Sequence, residues 1–147
     1  MTTTDQALND LLIILFKDIT EIEGECLVTS EYGDISYNDF HIIEAIGMDQ
    51  PKSMTEIAAR MKVTMGTLTK AMDGLTEKGY AIRERSNKDK RVVDVSLTEK
   101  GKRAFLHHEN FHRDMIEHAK KQIREQDMPV LTNVLSSLVD FFRQYYK

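Results

Sequence analysis

The sequence predicts a mainly α-helical fold interrupted once by a β-hairpin: a winged helix-turn-helix flanked by helices at both chain ends. Three observations carry this prediction. Apolar residues recur at three- and four-residue steps through both ends of the chain. The helical period gives way to strict alternation only around Val93-Asp-Val-Ser-Leu97. Two short capped segments, separated by about three residues, stand directly before that change, as the two helices of a helix-turn-helix do.

The first helix is expected from about Asp5 to Leu27, with Leu8, Leu11, Leu12, Leu15, Ile19, Ile22 and Cys26 on one stripe and Phe16 widening it. Tyr32-Gly33-Asp34 reads as a turn. Ser36, with Asp39 three residues on, opens a second helix containing Phe40, Ile43, Ala45 and Ile46, and Gly47 stops it. Ser53-Met-Thr-Glu56 is a capping box for a helix over Met54–Met61. Thr64 caps the next, Met65–Lys78, which ends at Gly79. Its Leu68, Ala71, Met72 and Leu75 share one face, opposite Gly66, Lys70, Asp73 and Glu77. Tyr80–Arg85 and Arg91–Leu97 then read as the strands of a wing around Ser86-Asn-Lys-Asp-Lys90. Thr98 caps a long helix to roughly Arg124, and a last helix runs from about Met128 to Tyr146 with Pro129 in its first turn. Leu131, Val134, Leu135, Leu138, Phe141, Phe142 and Tyr145 form its apolar stripe.

The 147 residues suit a single domain, 1–147, in which about 36–101 is the winged helix-turn-helix. The helices of 1–35 and 102–147 are more amphipathic than that small module requires. Burying their stripes against a second copy is the economical solution, so a homodimer is expected, with a two-fold axis suited to a palindromic operator. No apolar run reaches membrane-span length and the acidic N-terminus lacks a signal-peptide layout. The single cysteine, Cys26, makes no internal disulfide, which suits the cytoplasm, and its place on the stripe predicts a buried, inert thiol.

Net charge is −4, yet its distribution is uneven. Ser53–Arg103 holds twelve basic residues against seven acidic, a surplus of five, which leaves a deficit of nine elsewhere. A basic middle between acidic ends fits one DNA-facing surface on an otherwise repelled body. Thr64-Met-Gly-Thr67 has short side chains through which backbone N–H groups can approach phosphates at a helix N-terminus, and Thr67, Thr69 and Lys70 follow. In the wing, Lys88 and Lys90 flank Asp89, which stands two residues before Arg91 and can hold its guanidinium in a fork. An ordinary solvated helix and hairpin tip are the bland alternatives. The chain has no glycine-rich phosphate loop, nucleophile elbow or cysteine pair, so an enzyme is not expected. A protein–protein adaptor built on the winged fold is an alternative of another class, and it would show no salt-sensitive DNA binding.

The element order, with Asp89, Arg91 and the run Leu97-Thr98-Glu-Lys-Gly101, resembles the MarR family of transcriptional regulators, which share a D-x-R wing tip and L-T-x-x-G at the following helix. The resemblance covers nearly the whole chain. It implies a DNA-binding repressor whose major-groove residues are those matching Met65, Gly66, Thr67, Thr69 and Lys70, beside the cap Thr64. Val63-Thr-Met-Gly-Thr-Leu-Thr69, Glu77-Lys-Gly-Tyr80, Arg91-Val-Val93 and Phe111-His112 are similar to the branch that represses fatty-acid-synthesis genes (FabT-type). That likeness implies long-chain acyl groups on acyl carrier protein as corepressor. Other branches answer to phenolic molecules, metals or oxidants, the last through a first-helix cysteine.

The ligand pocket is expected between the first, second and fifth helices, near the dimer seam, with Phe16, Ile19, Phe40, His41, Phe111 and Met115 as its lining. His108 and His112 share a helix face as metal ligands often do. With Glu23 and His41 they occupy spacings like those of the ligands in zinc-responsive relatives. The FabT-type branch carries similar histidines without sensing metal. Three readings of these residues therefore stand at this point: a zinc site, polar lining of an acyl pocket, and plain surface.

Overall fold

The protein, described here over residues 1–145 by a computed structural model, has six α-helices, one 3-10 turn and a three-stranded antiparallel sheet. The helices are α1 Thr3–Leu27, α2 Tyr37–Ile46, α3 Met54–Met61, α4 Met65–Glu77, α5 Glu99–Lys120 and α6 Met128–Arg143. The strands are β1 Lys52–Ser53, β2 Ala81–Arg85 and β3 Val93–Leu97, in the order β1-β3-β2. The chain forms two compact units, Met1–Glu109 and the residues from Asn110 onward.

The caps start the helices. Ser36 Oγ accepts from the Asp39 N–H while the Asp39 carboxylate accepts from the Ser36 N–H, so two otherwise orphaned donors at the head of α2 are satisfied together. Thr2 and Asp5 make the same reciprocal pair, which is why α1 begins two residues before the expected start. Ser53 caps α3 by accepting from the Glu56 N–H, while the Glu56 carboxylate lies 3.6 Å from Arg60. Gly47 ends α2 with φ +72°, and Gly79 follows α4 with φ +84°, a backbone setting that other residues adopt only with strain.

In the first unit the core lies where α2, α3, α4 and the sheet meet. Phe40, Ile43 and Ile46 of α2 meet Ile57 of α3, Leu68 and Met72 of α4, and Val95 of β3, all essentially inaccessible to solvent. Each such side chain contributes about 1.5–3 kcal/mol by leaving water. β2 and β3 pair with Arg83 opposite Val95 and Ala81 opposite Leu97, so β3's alternation points Val95 and Leu97 inward as expected. The wing strands are shorter than the sequence reading, because Tyr80 belongs to the turn after α4 and Arg91 to the wing loop. β1 was not foreseen: two residues paired with Val95 and Asp94 are too few to show a period.

Two further expectations are corrected. α5 ends at Lys120, not near Arg124: the Gln122 and Ile123 N–H groups bond only three residues back, and Arg124 turns to pair with Asp127 at 2.7 Å. Cys26 is exposed, not buried, since only Glu23, Gly24 and Leu27 are buried on α1. The outer stripe of α1 is equally open, with Leu11 and Phe16 64% and 71% exposed. In the second unit α6 ends at Arg143, two residues short of the described limit, and Tyr146 lies outside the described residues. No residue of α6 is buried, and Val134, Leu135, Phe141 and Phe142 are about half exposed or more. Among the described residues no helix is long and apolar enough to cross a membrane.

Candidate nucleic-acid interface and buried polar cluster

α3 and α4 are joined by Lys62-Val63-Thr64, with Lys62 in the left-handed conformation (φ 55°) that turns the chain sharply. Thr64 caps α4 by accepting from the Thr67 N–H and donates its own hydroxyl hydrogen to Thr67 Oγ1 at 2.9 Å. Leu68, Met72 and Leu75 anchor the inner face of α4. Met65, Gly66, Thr67, Thr69 and Lys70 are therefore all turned to solvent, on the N-terminal half that a major groove would receive. No atom lies within 4 Å of where a Cβ on Gly66 would stand, so that surface is open to a close-approaching backbone. Thr69 donates to the Met65 carbonyl at 2.8 Å, leaving its hydroxyl lone pairs outward.

The wing tip has the predicted fork. Asp89 accepts from Arg91 Nε at 3.1 Å, from Nη2 at 3.0 Å and from the Arg91 N–H at 3.0 Å. The Arg91 side chain is nonetheless 90% exposed: Asp89 fixes its direction without covering it. These bonds from Arg91 hold the Asp89 carboxyl below its ordinary pKa. Lys88 and Lys90 flank Asp89, both exposed. Sequence reasoning missed two struts behind this tip. Arg85 Nη1 donates to the Lys90 carbonyl at 2.7 Å, and Arg83 on β2 meets Asp73 on α4 at 2.7 Å, tying wing to recognition helix. A cavity of about 670 Å³ lies between them, bounded by Met65 and Thr69 on one side and Arg83, Arg85 and Arg91 on the other.

A second constellation lies between α1, α2 and the first half of α5. Glu23 and His108 are both buried, with Glu23 Oε1 3.0 Å from His108 Nε2. Tyr37 O–H donates to the other carboxylate oxygen at 2.6 Å. Burial first, and then that hydrogen bond to Glu23, push the Tyr37 phenol far above its usual pKa, so it remains a donor. The His41 ring stands 5.8 Å from that of His108, and Glu44 lies 3.7 Å from His108 Nδ1. Tyr37, His41 and Glu44 follow one another at i, i+4 and i+7 on α2, a spacing that could have revealed Tyr37 and Glu44 beforehand. A buried carboxylate beside imidazole nitrogen is a donor set that fits Zn²⁺, whose ligands sit at about 2.0–2.2 Å. Glu23 and His108 are the residues of this unit whose ligand atoms lie together for it, while His41 stands one ring away.

Among the expected pocket residues, Phe40 is wholly buried against Tyr32 and the rings of His107 and His108. Ile19 is half-buried, while Phe16 is exposed. His41 borders a cavity of about 420 Å³ with Glu44, Ala45, Arg60 and Met61. Phe111, His112 and Met115 belong to the second unit; Phe111 and His112 are half-buried with their rings edge to face, and Met115 is 39% exposed. His112 follows His108 by one turn of α5.

Comparison with known proteins places this geometry. Residues 27–107 match the family described as transcriptional regulator SarA/Rot. The crystal structure of Streptococcus pneumoniae FabT in complex with DNA is similar over 95% of this chain and 98% of that one, with a TM-score of 0.85 and 32% identity. The HTH-type regulator YpoP of Bacillus subtilis is 29% identical over 107 residues, 73% of this chain and 75% of YpoP. The HTH-type transcriptional repressor MdtR of the same organism is 29% identical over 101 residues, 69% of this chain and 65% of MdtR.

Proposed function

The chain belongs to the MarR family of winged-helix transcriptional regulators, and from that premise we propose that it is a homodimeric repressor of fatty-acid-synthesis genes, controlled by long-chain acyl groups on acyl carrier protein. It is a DNA-binding regulator and not an enzyme. In this reading Thr64, Met65, Gly66, Thr67, Thr69 and Lys70 enter the major groove of a palindromic operator. Lys88, Lys90 and the Asp89-held Arg91 reach the adjacent backbone or minor groove. The observation that carries the reading is the pairing of an exposed α4 N-terminal face with an Arg91 that is oriented by Asp89 yet left free outward. The fatty-acid assignment is supported by the likeness to FabT over nearly the whole chain. The dimer is supported by the open stripes of α1 and α6, which leave large apolar side chains in water within a single copy.

The test is operator titration at several salt concentrations, using a duplex selected by the unmodified protein from a random pool. Lys70→Ala should weaken binding. Arg91→Ala should weaken it and lower the slope of log affinity against log salt by about one unit. Unchanged affinity in both variants would defeat the DNA assignment of these residues.

A zinc-responsive repressor is the second reading, favoured by the buried Glu23–His108 pair with His41 beside it. Polar lining of an acyl pocket is a role for the same cluster, Tyr37, Glu23 and His108. Zinc binding with micromolar or tighter affinity, lost in His108→Ala, would favour the metal.

A further inference from the structure

The base of the recognition helix carries a polar knot that neither the DNA face nor the buried cluster uses. Tyr80 follows α4 directly, its ring wholly buried and its N–H bonded to the Leu75 carbonyl at 2.9 Å. Its O–H donates to Asp34 Oδ1 at 2.7 Å, forty-six residues earlier in the turn between α1 and α2. Lys100, in the first turn of α5, completes the knot. Its ammonium lies 3.6 Å from Asp34 Oδ2, 4.4 Å from the centroid of the Tyr80 ring and 3.2 Å from the Lys78 carbonyl, to which it donates. Lys78 is the C-cap of α4, where the helix dipole leaves partial negative charge and a cation is favourable. Thr98 adds a bond from its hydroxyl to the Gly79 carbonyl, and a Cβ at Gly101 would collide with the Tyr80 carbonyl oxygen.

We infer that Asp34, Tyr80 and Lys100 form a positioning hub that fixes the C-terminal end of the recognition helix against the α1–α2 turn and the start of α5, and so sets the angle at which α4 meets DNA. This rests on the DNA-binding reading above. No member of the hub lies on the face offered to DNA. Its members instead join the recognition helix to the two elements that carry the buried Glu23–His108 pair. His107, next to His108 on α5, bonds the Leu27 carbonyl at the end of α1 at 3.2 Å and stacks on Tyr32, two residues before Asp34. A rearrangement of α1 against α5 therefore has a short covalent path to Asp34 and, through it, to α4.

The chemistry makes the hub sensitive to single atoms. Tyr80 has one partner for its O–H, and Phe at that position keeps the ring and the core. Asp34 is half exposed, so losing the phenol leaves it to water rather than stranded. Tyr80→Phe should thus fold normally while freeing the end of α4.

The first measurement is hydrogen exchange on the full chain without DNA. Tyr80→Phe and Lys100→Met should each raise exchange several-fold in two places together, the turn at 30–35 and the amides at 74–79. The second is affinity for the selected duplex. Tyr80→Phe should lower it by about tenfold, the scale of one hydrogen bond to a charged acceptor. Affinity for an unrelated duplex and the salt slope should not change, because every interface charge is kept. Asp34→Ala should match Tyr80→Phe, and Asp34→Asn, which restores the acceptor, should recover most of the loss. Exchange that rises only beside each substituted residue would overturn the hub. So would a Tyr80→Phe protein that binds the selected duplex as tightly as the unmodified one. If the unmodified protein selects no duplex, the DNA reading fails by itself, and the exchange pattern still decides whether the hub couples these elements.

Discussion

At the scale of single residues, two positions separate what stabilises the protein from what engages DNA. Gly66 lies one residue inside α4 with open space around it. Alanine there should stabilise the protein through helix propensity, by less than the roughly 1 kcal/mol of a helix interior because the position lies in the first turn. It should also weaken operator binding, because the added methyl occupies the surface offered to the groove. Thermal denaturation and operator titration of Gly66→Ala should move in opposite directions. Loss of both together would assign Gly66 to folding. Asp89 makes the complementary case, since it carries the wrong charge for a DNA contact and acts through Arg91. Its carboxyl is held low by Arg91, so the fork is fully formed above the ordinary aspartate range near pH 4. It comes apart only as pH falls through the lowered value. Asp89→Ala leaves Arg91's charge in place but undirected. Operator affinity should fall while the salt slope stays put, the opposite signature from Arg91→Ala.

At the scale of elements, the helices were legible because their signals are local. Ser36, Ser53 and Thr64 announce helix starts by side chains that bond within three residues, and the caps stand where those residues fall. The wing fork was legible for the same reason, Asp89 and Arg91 being two residues apart. What stayed hidden depends on long-range pairing. β1 exists only through β3, the Tyr80–Asp34 bond spans forty-six residues, and the Glu23–His108 bond spans eighty-five. Cys26 is exposed against expectation because an apolar stripe reports which face is hydrophobic, not whether this chain alone covers it. The same ambiguity governs α6, whose apolar side chains stand open, Leu135 being 46% exposed. If a second copy covers that stripe, Leu135→Asp and Leu138→Asp should each break the dimer, a carboxylate being costly to desolvate in an apolar seam. Sedimentation should show a dimer for the unmodified protein at micromolar concentration and a monomer for the variants. A well-folded unmodified monomer would sink the assignment.

At the scale of the whole molecule, charge and linkage decide what a signal can do. The surplus of five positive charges lies within Ser53–Arg103 and the deficit of nine lies outside it, so the segment that holds the recognition helix and wing favours a polyanion and the rest of the chain does not. On the proposed reading of a dimer on a palindromic operator, such a body should bind without help at low salt, and an effector would act by shifting how well two winged modules fit two half-sites at once. That shift is reciprocal: a ligand tightens DNA binding by the factor by which DNA tightens ligand binding, typically about 5–150-fold for allosteric proteins. An acyl chain and a metal would use the same region differently. The chain needs apolar volume and a polar end such as Tyr37 and His108 can supply, whereas Zn²⁺ needs a carboxylate oxygen and imidazole nitrogens with their lone pairs turned to one point. With a long-chain acyl carrier protein as corepressor, operator affinity should rise at least fivefold, short-chain acyl carrier protein should do little, and chelator should have no effect. His108→Ala should then blunt the response without abolishing it, since most of the chain's binding is apolar. With zinc as the signal, affinity should rise on adding the metal, fall on chelation, and ignore metal in His108→Ala, because losing one of few ligands opens the site. Tightening by zinc alone would overturn the lipid assignment, and tightening by long chains alone would retire the metal.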